Sequence, residues 1–326
     1  MIISKTPYRI SFFGGGTDYP RYFQENGGAV LGSTIDKYCY LTCRSLPPFF
    51  DHSTRVVYSE QECVNDNSKI RHPTIRAALM LMGVRDGVEI HHDGDLPARS
   101  GLGSSSSCTV GILNALFAMQ GRRASKQELS QLAIHIEQNM LRENVGSQDQ
   151  TFAAFGGFNK ILFHQDGRVD VMPMTFQSHR RELLQNHLMF CFTRTQRIAS
   201  GIAKSVIENI PKKQQELREM RRMVDVAEGI LYNGDMDDFG HLLHESWQLK
   251  RSISTAVSNE YLDSLYFRAR DAGALGGKLL GAGGGGFMLF YVRPEQQEAV
   301  RRALSEVIWV PVQFERDGSK IIYFSE

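Results

Sequence analysis

Thirty of the 326 residues are glycine, about 9%, and much of it lies in four short clusters. These are Gly14-Gly15-Gly16, Gly101 with Gly103, Gly156-Gly157, and Gly281 to Gly286, where only Ala282 interrupts. Glycine used for flexibility would be scattered or would form a linker. Short clusters between well-patterned segments instead suggest backbone brought close to a ligand.

Composition narrows the classes. Hydrophobic residues make up 42% and charged residues 22%, within the range of globular proteins and outside that of disordered chains. Lys plus Arg is 37 against 36 for Asp plus Glu, so no global field favours nucleic acid or an anionic membrane. No apolar run approaches the roughly 18–20 residues that span a bilayer. The start, MIISKTPYRISFFGGG, lacks the marks of a signal peptide. Five cysteines, an odd number without a CxxC, suggest neither a disulfide framework nor a zinc knuckle. A cytoplasmic, metabolite-handling protein is expected.

Local patterns predict strands at 2–3, 9–13, 29–46 (one or two strands), 54–58 and 88–92. Helices are predicted at 70–82, 105–120 and 126–144, the last opened by Ser125 with Glu128 as a capping box. Residues 158–163 and 169–172 read as a hairpin around Gln165-Asp166-Gly167. Past 180 come a strand at 188–192, helices at 197–209, 212–232, 236–248 and 259–272, and strands at 287–292, 307–314 and 320–324, with a helix near 294–306. The helix at 212–232 is dense in charge and reads as a solvated face. The texture change sets a boundary near 180, giving domains 1–180 and 181–326.

Most common phosphate signatures fail. The nearest P-loop match ends at Gly277-Lys278, but Ala272 and Leu279 stand where glycine and a hydroxyl are needed. Gly281-x-Gly283-x-x-Gly286 has Rossmann letters but precedes a strand, the reverse of the required context. What remains is LPARSGLGSSSS, residues 96–107, running into a helix. Glycines let N–H groups converge, a helix N-terminus attracts anions, and serines add donors. The loop alone reads equally well as a serine-rich helix cap.

Four segments in order break that tie. Residues 7–20, PYRISFFGGGTDYP, resemble the first motif of the galactokinase, homoserine kinase, mevalonate kinase and phosphomevalonate kinase (GHMP) superfamily. Residues 96–107 resemble its second motif and Lys278 to Phe287, KLLGAGGGGF, its third. Gly146 to Gln150, GSQDQ, resembles the segment of its catalytic aspartate. The run FFGGGTDYP is most similar to bacterial D-glycero-D-manno-heptose 7-phosphate kinases.

The resemblance implies an α+β kinase of two domains, a ribosomal-protein-S5-like one followed by a ferredoxin-like one. It implies ATP-dependent phosphorylation of a sugar hydroxyl, the anomeric one of heptose 7-phosphate, with ATP and Mg2+ as cofactors. Gly101, Gly103, Ser104, Ser105 and Ser106 would cradle the nucleotide phosphates. Ser105 and Glu137 would hold magnesium, the latter in a helix whose Ile134, Ile136, Met140 and Leu141 suggest burial. Asp149 would orient or deprotonate the acceptor, with Arg9 beside it neutralising the moving phosphoryl. Thr17 and Asp18 would grip the sugar. Gly281, Gly283, Gly284 and Gly285 would close the site. From physical reasoning alone, Arg194 and Arg197, at the opening of a helix, are candidates for a distal phosphate. The partners are a sugar phosphate and ATP, with no nucleic acid and no membrane; a homodimer is allowed. The alternatives are another sugar-1-kinase, fucokinase- or galactokinase-like, or a non-catalytic sugar sensor on the same fold.

Overall fold

The computed structural model describes residues 1–85, 87–97, 101–195 and 199–325. Among these, the strands are β1 (Ile2–Phe13), β2 (Gly28–Ser45), β3 (Thr54–Val57), β4 (Gln61–Val64), β5 (Val88–Gly94), β6 (Phe158–Phe163), β7 (Val169–Pro173), β8 (Leu188–Phe192), β9 (Ala274–Leu279), β10 (Phe287–Val292), β11 (Ile308–Trp309), β12 (Phe314–Glu315) and β13 (Lys320–Phe324). The α-helices are α1 (Pro20–Asn26), α2 (Pro73–Leu81), α3 (Ser104–Met119), α4 (Lys126–Ile134), α5 (Gln148–Phe155), α6 (Ser178–His187), α7 (Ala199–Asn209), α8 (Gln214–Asn233), α9 (Met236–Ile253), α10 (Glu260–Asp271) and α11 (Gln297–Ala303). Ser125 caps α4 by accepting from the Glu128 amide at 3.1 Å, and α4 continues as a π-helical turn over His135–Met140.

The β-branched run after residue 28 is one strand of 18 residues, long enough to organise a nine-stranded sheet. One edge of β2 runs antiparallel along β1; along the other, residues 28–33 meet β6, 34–35 meet β12 and 39–45 meet β5. The second sheet has the order β11-β8-β10-β9, all antiparallel. In chain order that is fourth, first, third, second, with helices between the first and second strands and α11 between the third and fourth, the ferredoxin-like arrangement.

The chain then returns. β12 pairs with β2 and β13 with β1, so residues 314–324 belong to the first sheet and one cut near 180 does not separate the two sheets. The apolar run at 307–314 is therefore two short strands in different sheets, with Pro311 between them, where a proline without an N–H cannot extend a ladder. β9 escaped the sequence reading because ALGGKL carries two glycines; Gly276 lets α9 lie against the strand, a Cβ there coming within 1.9 Å of the Gly240 carbonyl, while Gly277 packs on β10. α8 buries Leu217, Met220, Val224, Ala227 and Leu231 at helical spacing, and its charges pair on the outer face, as in Arg221–Asp225 at 2.6 Å. No helix among the described residues is long and apolar enough to cross a membrane.

Aromatic packing joins the layers. Phe12, fully buried on β1, stacks on Phe158 of β6 at 5.4 Å and meets Phe239 of α9 edge-on at 5.4 Å and Phe314 of β12 at 6.2 Å. Truncating Phe12 leaves a cavity shared by all four elements. Phe12→Ala is expected to lower the unfolding free energy by about 3–5 kcal/mol, read from the urea midpoint at unchanged slope.

Candidate active site

Arg9 is the first functional group the fold positions. β1 carries it inward to 4% exposure. Its Nε and Nη2 donate to Asp149 Oδ1 and Oδ2, each at 2.8 Å, a two-pronged fork. Its Nη1 donates to the Gly101 carbonyl at 2.8 Å, and its backbone N–H to the Leu102 carbonyl at 3.1 Å. Asp149 arrives there in the first turn of α5. Gly103 sits between them as the N-cap of α3, at φ 75°, and a Cβ on it would lie 3.4 Å from both the Asp149 carboxyl and the Arg9 stem. The left-handed backbone is what calls for glycine there.

The 16-residue helix α3 starts at Ser104, so its first N–H groups open toward this pair, a place suited to an anion. The serines divide the work. Ser104 and Ser105 line the cleft, Ser106 donates to Glu137 Oε2 at 2.9 Å, and Ser107 donates to the Pro7 carbonyl at 2.9 Å. The hydroxyl that meets Glu137 is therefore that of Ser106; Ser105, about 100° further round the helix, is exposed.

Glu137 is fully buried in the π-helical turn. It accepts from Ser106, from Thr109 Oγ1 at 2.6 Å and from Gln150 Nε2. No described Lys or Arg pairs with it, and burial pushes its carboxyl up to about 8. A buried carboxylate with hydroxyl neighbours and no cation, beside a phosphate cradle, suits an oxygen-preferring divalent ion.

Asp18 is buried, with Oδ1 accepting from the Gly16 amide at 3.0 Å and Oδ2 from the Gln148 amide at 3.4 Å. Burial, and then the charge of Asp149, raise its pKa. Asp18 lines the cleft; Thr17 does not. The Thr17 hydroxyl lies 2.8 Å from the Gly14 carbonyl and 2.9 Å from that of Ala29, and it accepts from the Ala29 amide at 3.1 Å. Thr17 is consumed in locking the turn, so the expectation of a sugar contact is corrected.

The glycines at 281–286 form the β9–β10 connection. Gly281 lies in the cleft with its backbone against Gly101: a Cβ on Gly281 would come within 2.4 Å of the Gly101 Cα. Gly284 donates to the Val257 carbonyl at 2.9 Å and Gly286 to that of Thr195 at 2.8 Å. Gly283, Gly284 and Gly285 do not line the cleft; they pack the loop on its own layer. Arg194 is exposed, with Nε donating to the Glu306 carbonyl at 3.0 Å, and does not line the cleft either. Arg197 lies outside the described residues.

Of these groups Arg9, Asp18, Asp149, Gly101, Gly103, Ser104 to Ser106 and Gly281 line a cavity of about 600 Å³, and Glu137 does not. Four further lining residues were not singled out from sequence. Ser11 Oγ and Gln148 Oε1 are buried without a hydrogen-bond partner among the described residues. Lys278 is 3% exposed and donates to the Phe12 carbonyl at 2.7 Å; burial, then Lys250 and Arg9, hold its pKa well below the usual lysine range. Lys250 donates to the Leu279 carbonyl at 3.1 Å and to that of Gly281; burial and then Arg9 bring its pKa down to about 7. Lys250 had one signal: in α9 it shares the buried face of Leu243, Trp247 and Ile253. Away from the cleft, Cys39 of β2, His92 of β5 and Cys108 of α3 bring ligand atoms within 4.8 Å of one another, a cluster no motif spacing announces.

Comparison with known proteins places this geometry. Residues 72–157 match the GHMP kinases N terminal domain and residues 227–308 the GHMP kinases C terminal domain. The D-glycero-alpha-D-manno-heptose 7-phosphate kinase of Campylobacter jejuni is 30% identical over 93% of each chain. The chain belongs to the GHMP kinases. This GHMP kinase superposes on the crystal structure of a D-glycero-D-manno-heptose 1-phosphate kinase from Bacteroides thetaiotaomicron with TM-score 0.82 at 27% identity, covering 100% of both chains. It is also 25% identical to the bifunctional fucokinase/GDP-fucose pyrophosphorylase of Arabidopsis thaliana, over 92% of this chain and 31% of that protein. As a GHMP sugar kinase it is a phosphotransferase acting on an alcohol group and uses ATP.

Asn at position 149 keeps the shape of Asp149 and removes its charge. Asp149→Asn is expected to lower turnover by about 10²–10⁴-fold, with ADP affinity by calorimetry nearly unchanged. Equal turnover removes Asp149 from the chemistry. Glu137→Gln is expected to raise the magnesium concentration giving half-maximal rate; an unchanged titration makes Glu137 structural.

Proposed function

We propose that this kinase transfers the γ-phosphoryl of ATP to the anomeric hydroxyl of D-glycero-D-manno-heptose 7-phosphate, giving the 1,7-bisphosphate used in making nucleotide-activated heptose. The observation that carries the substrate is the 30% identity over 93% of the Campylobacter jejuni enzyme. The Bacteroides thetaiotaomicron structure, a kinase for a phosphate of the same heptose skeleton, supports it.

The cleft supplies the parts such a reaction needs. The first turn of α3 and Gly101 receive the nucleotide phosphates. Asp149 orients the acceptor hydroxyl and takes its proton, held in place by the Arg9 fork. Asp18, Ser11 and Gln148 face the sugar hydroxyls, and the two orphaned oxygens of Ser11 and Gln148 gain partners there. Glu137, with the Ser106 and Ser105 hydroxyls, would hold Mg2+, which would supply positive charge for the nucleotide phosphates. Of the two arginines assigned to a distal phosphate, Arg197 is retained as the candidate.

The test is a panel of sugars and sugar phosphates with ATP, following ADP release and the position of the new phosphate. Heptose 7-phosphate should be the best acceptor, with the new phosphate on the anomeric oxygen. Preference for unphosphorylated fucose or galactose would favour the fucokinase-like alternative, and no activity with any acceptor would overturn the kinase assignment. A charge-assisted contact is worth about 1.5–3 kcal/mol. Arg197→Ala should therefore raise the half-saturating heptose 7-phosphate by about 10- to 100-fold, leaving ATP and unphosphorylated heptose little changed. Equal loss on both acceptors places the phosphate pocket elsewhere.

A further inference from the structure

Lys250 belongs to none of the four motifs, yet it stands where the two sheets meet at the cleft. It projects from α9, a helix of the second layer, and lines the cavity with Arg9, Asp18 and Asp149. Its Nζ donates to the carbonyls of Leu279 and Gly281, on the last residue of β9 and the first of the glycine loop. An ammonium has three donors. Two are given to neutral carbonyls, and no described carboxylate forms an ion pair with it. A partly buried cation facing a cleft without a contacting counter-ion is unfavourable unless it serves a ligand.

A continuous set of contacts ties that cation to the reacting centre. Gly281, whose carbonyl Lys250 holds, lies with its backbone against Gly101. The Gly101 carbonyl accepts from Arg9, and Arg9 holds Asp149. Lys250 and Arg9 thus flank one backbone contact from opposite layers, next to the N-terminus of α3. Lys278, by comparison, is almost fully buried and committed to the Phe12 carbonyl; its amine joins β9 to β1.

We propose that Lys250 is a catalytic residue: its ammonium bears on the phosphoryl group in transit and shares the neutralisation of that group with Arg9. The proposal rests on reading the cleft as a site of phosphoryl transfer. In that step the γ-phosphorus loses its bond to the bridging oxygen, which departs with the electron pair as part of ADP. The phosphorus gains a bond to the sugar oxygen, whose proton passes to Asp149. The phosphates beside it favour the charged form of Lys250, which exchanges no proton in the step. Its contribution is a fixed positive charge aimed where negative charge moves, in a site shielded from water.

Two substitutions separate the charge from the tether. Lys250→Met removes both. Lys250→Gln removes the charge but keeps amide donors for the Leu279 and Gly281 carbonyls. Each is measured for acceptor-dependent ADP release and, by calorimetry, for affinity toward ADP alone and ADP with aluminium fluoride, a mimic of the phosphoryl in transit. Both variants should lose about 100- to 1,000-fold in turnover. They should keep the wild-type affinity for ADP and lose the additional affinity conferred by fluoride. Thermal unfolding should be unchanged or higher, since a buried charge has been removed. Wild-type turnover in Lys250→Gln overturns the proposal. So does an equal loss for ADP and for its fluoride complex, which marks a loop tether, and so does loss of the fold in both variants or a wild type whose ADP affinity fluoride does not raise. A wild type that phosphorylates no sugar overturns the sugar-kinase reading instead, and the fluoride comparison still decides on Lys250.

Discussion

The fork between Arg9 and Asp149 is the contact on which the rest of the site depends. Arg9 is nearly buried, and a guanidinium in that position must be matched in charge and in hydrogen bonds. Asp149 supplies the charge through two parallel bonds, and Gly101 and Leu102 supply carbonyls to the remaining side-chain and backbone donors. Satisfying one residue therefore sets the positions of β1, α5 and the loop entering α3. The left-handed turn with which that loop enters α3 is what demands glycine at 103. The contact of Gly101 with Gly281 then brings in the second sheet. Each glycine cluster that stands out in the sequence holds at least one residue, Gly14, Gly101, Gly156 or Gly281, whose Cβ would strike another stretch of backbone.

Around the fork the charges are poorly matched. Lys250 and Lys278 have their amines pushed down by burial, while Asp18 and Glu137 have their carboxyls pushed up. Each shift reports a charged form that finds too little solvation or too few opposite charges. A nucleotide with its divalent ion would correct both imbalances together, with phosphate for the amines and a cation for Glu137. Preorganisation of this kind lowers the stability of the free protein and lowers reorganisation during reaction.

One helix carries much of the coupling between the layers. α9 contributes Phe239 to the aromatic cluster around Phe12, lies on Gly276 of β9, and places Lys250 beside Gly281. The return of β12 and β13 adds a second tie, because the last strands pair with the first two. A change in either tie alters the width of the cleft between the layers as well as the core.

In the sequence, four motifs in order carried the family, and the resemblance implied the α+β class and Arg9 beside Asp149. Local chemistry carried less: glycine where backbone approaches a neighbour, serine at a helix start, alternating or helical spacing in the longer elements. Tertiary structure alone decided the rest. Thr17 and Asp18 are adjacent, yet one locks a turn while the other faces the cavity, because β2 takes the first hydroxyl. Ser106 rather than Ser105 reaches Glu137 because successive helical residues point about 100° apart. The strand ALGGKL was hidden because its Gly276 answers to a packing partner 36 residues earlier in the chain. Lys250 reads as an ordinary helix lysine until α9 is laid against β9, since its two partners are backbone carbonyls near residue 280 and a carbonyl carries no residue type to recognise.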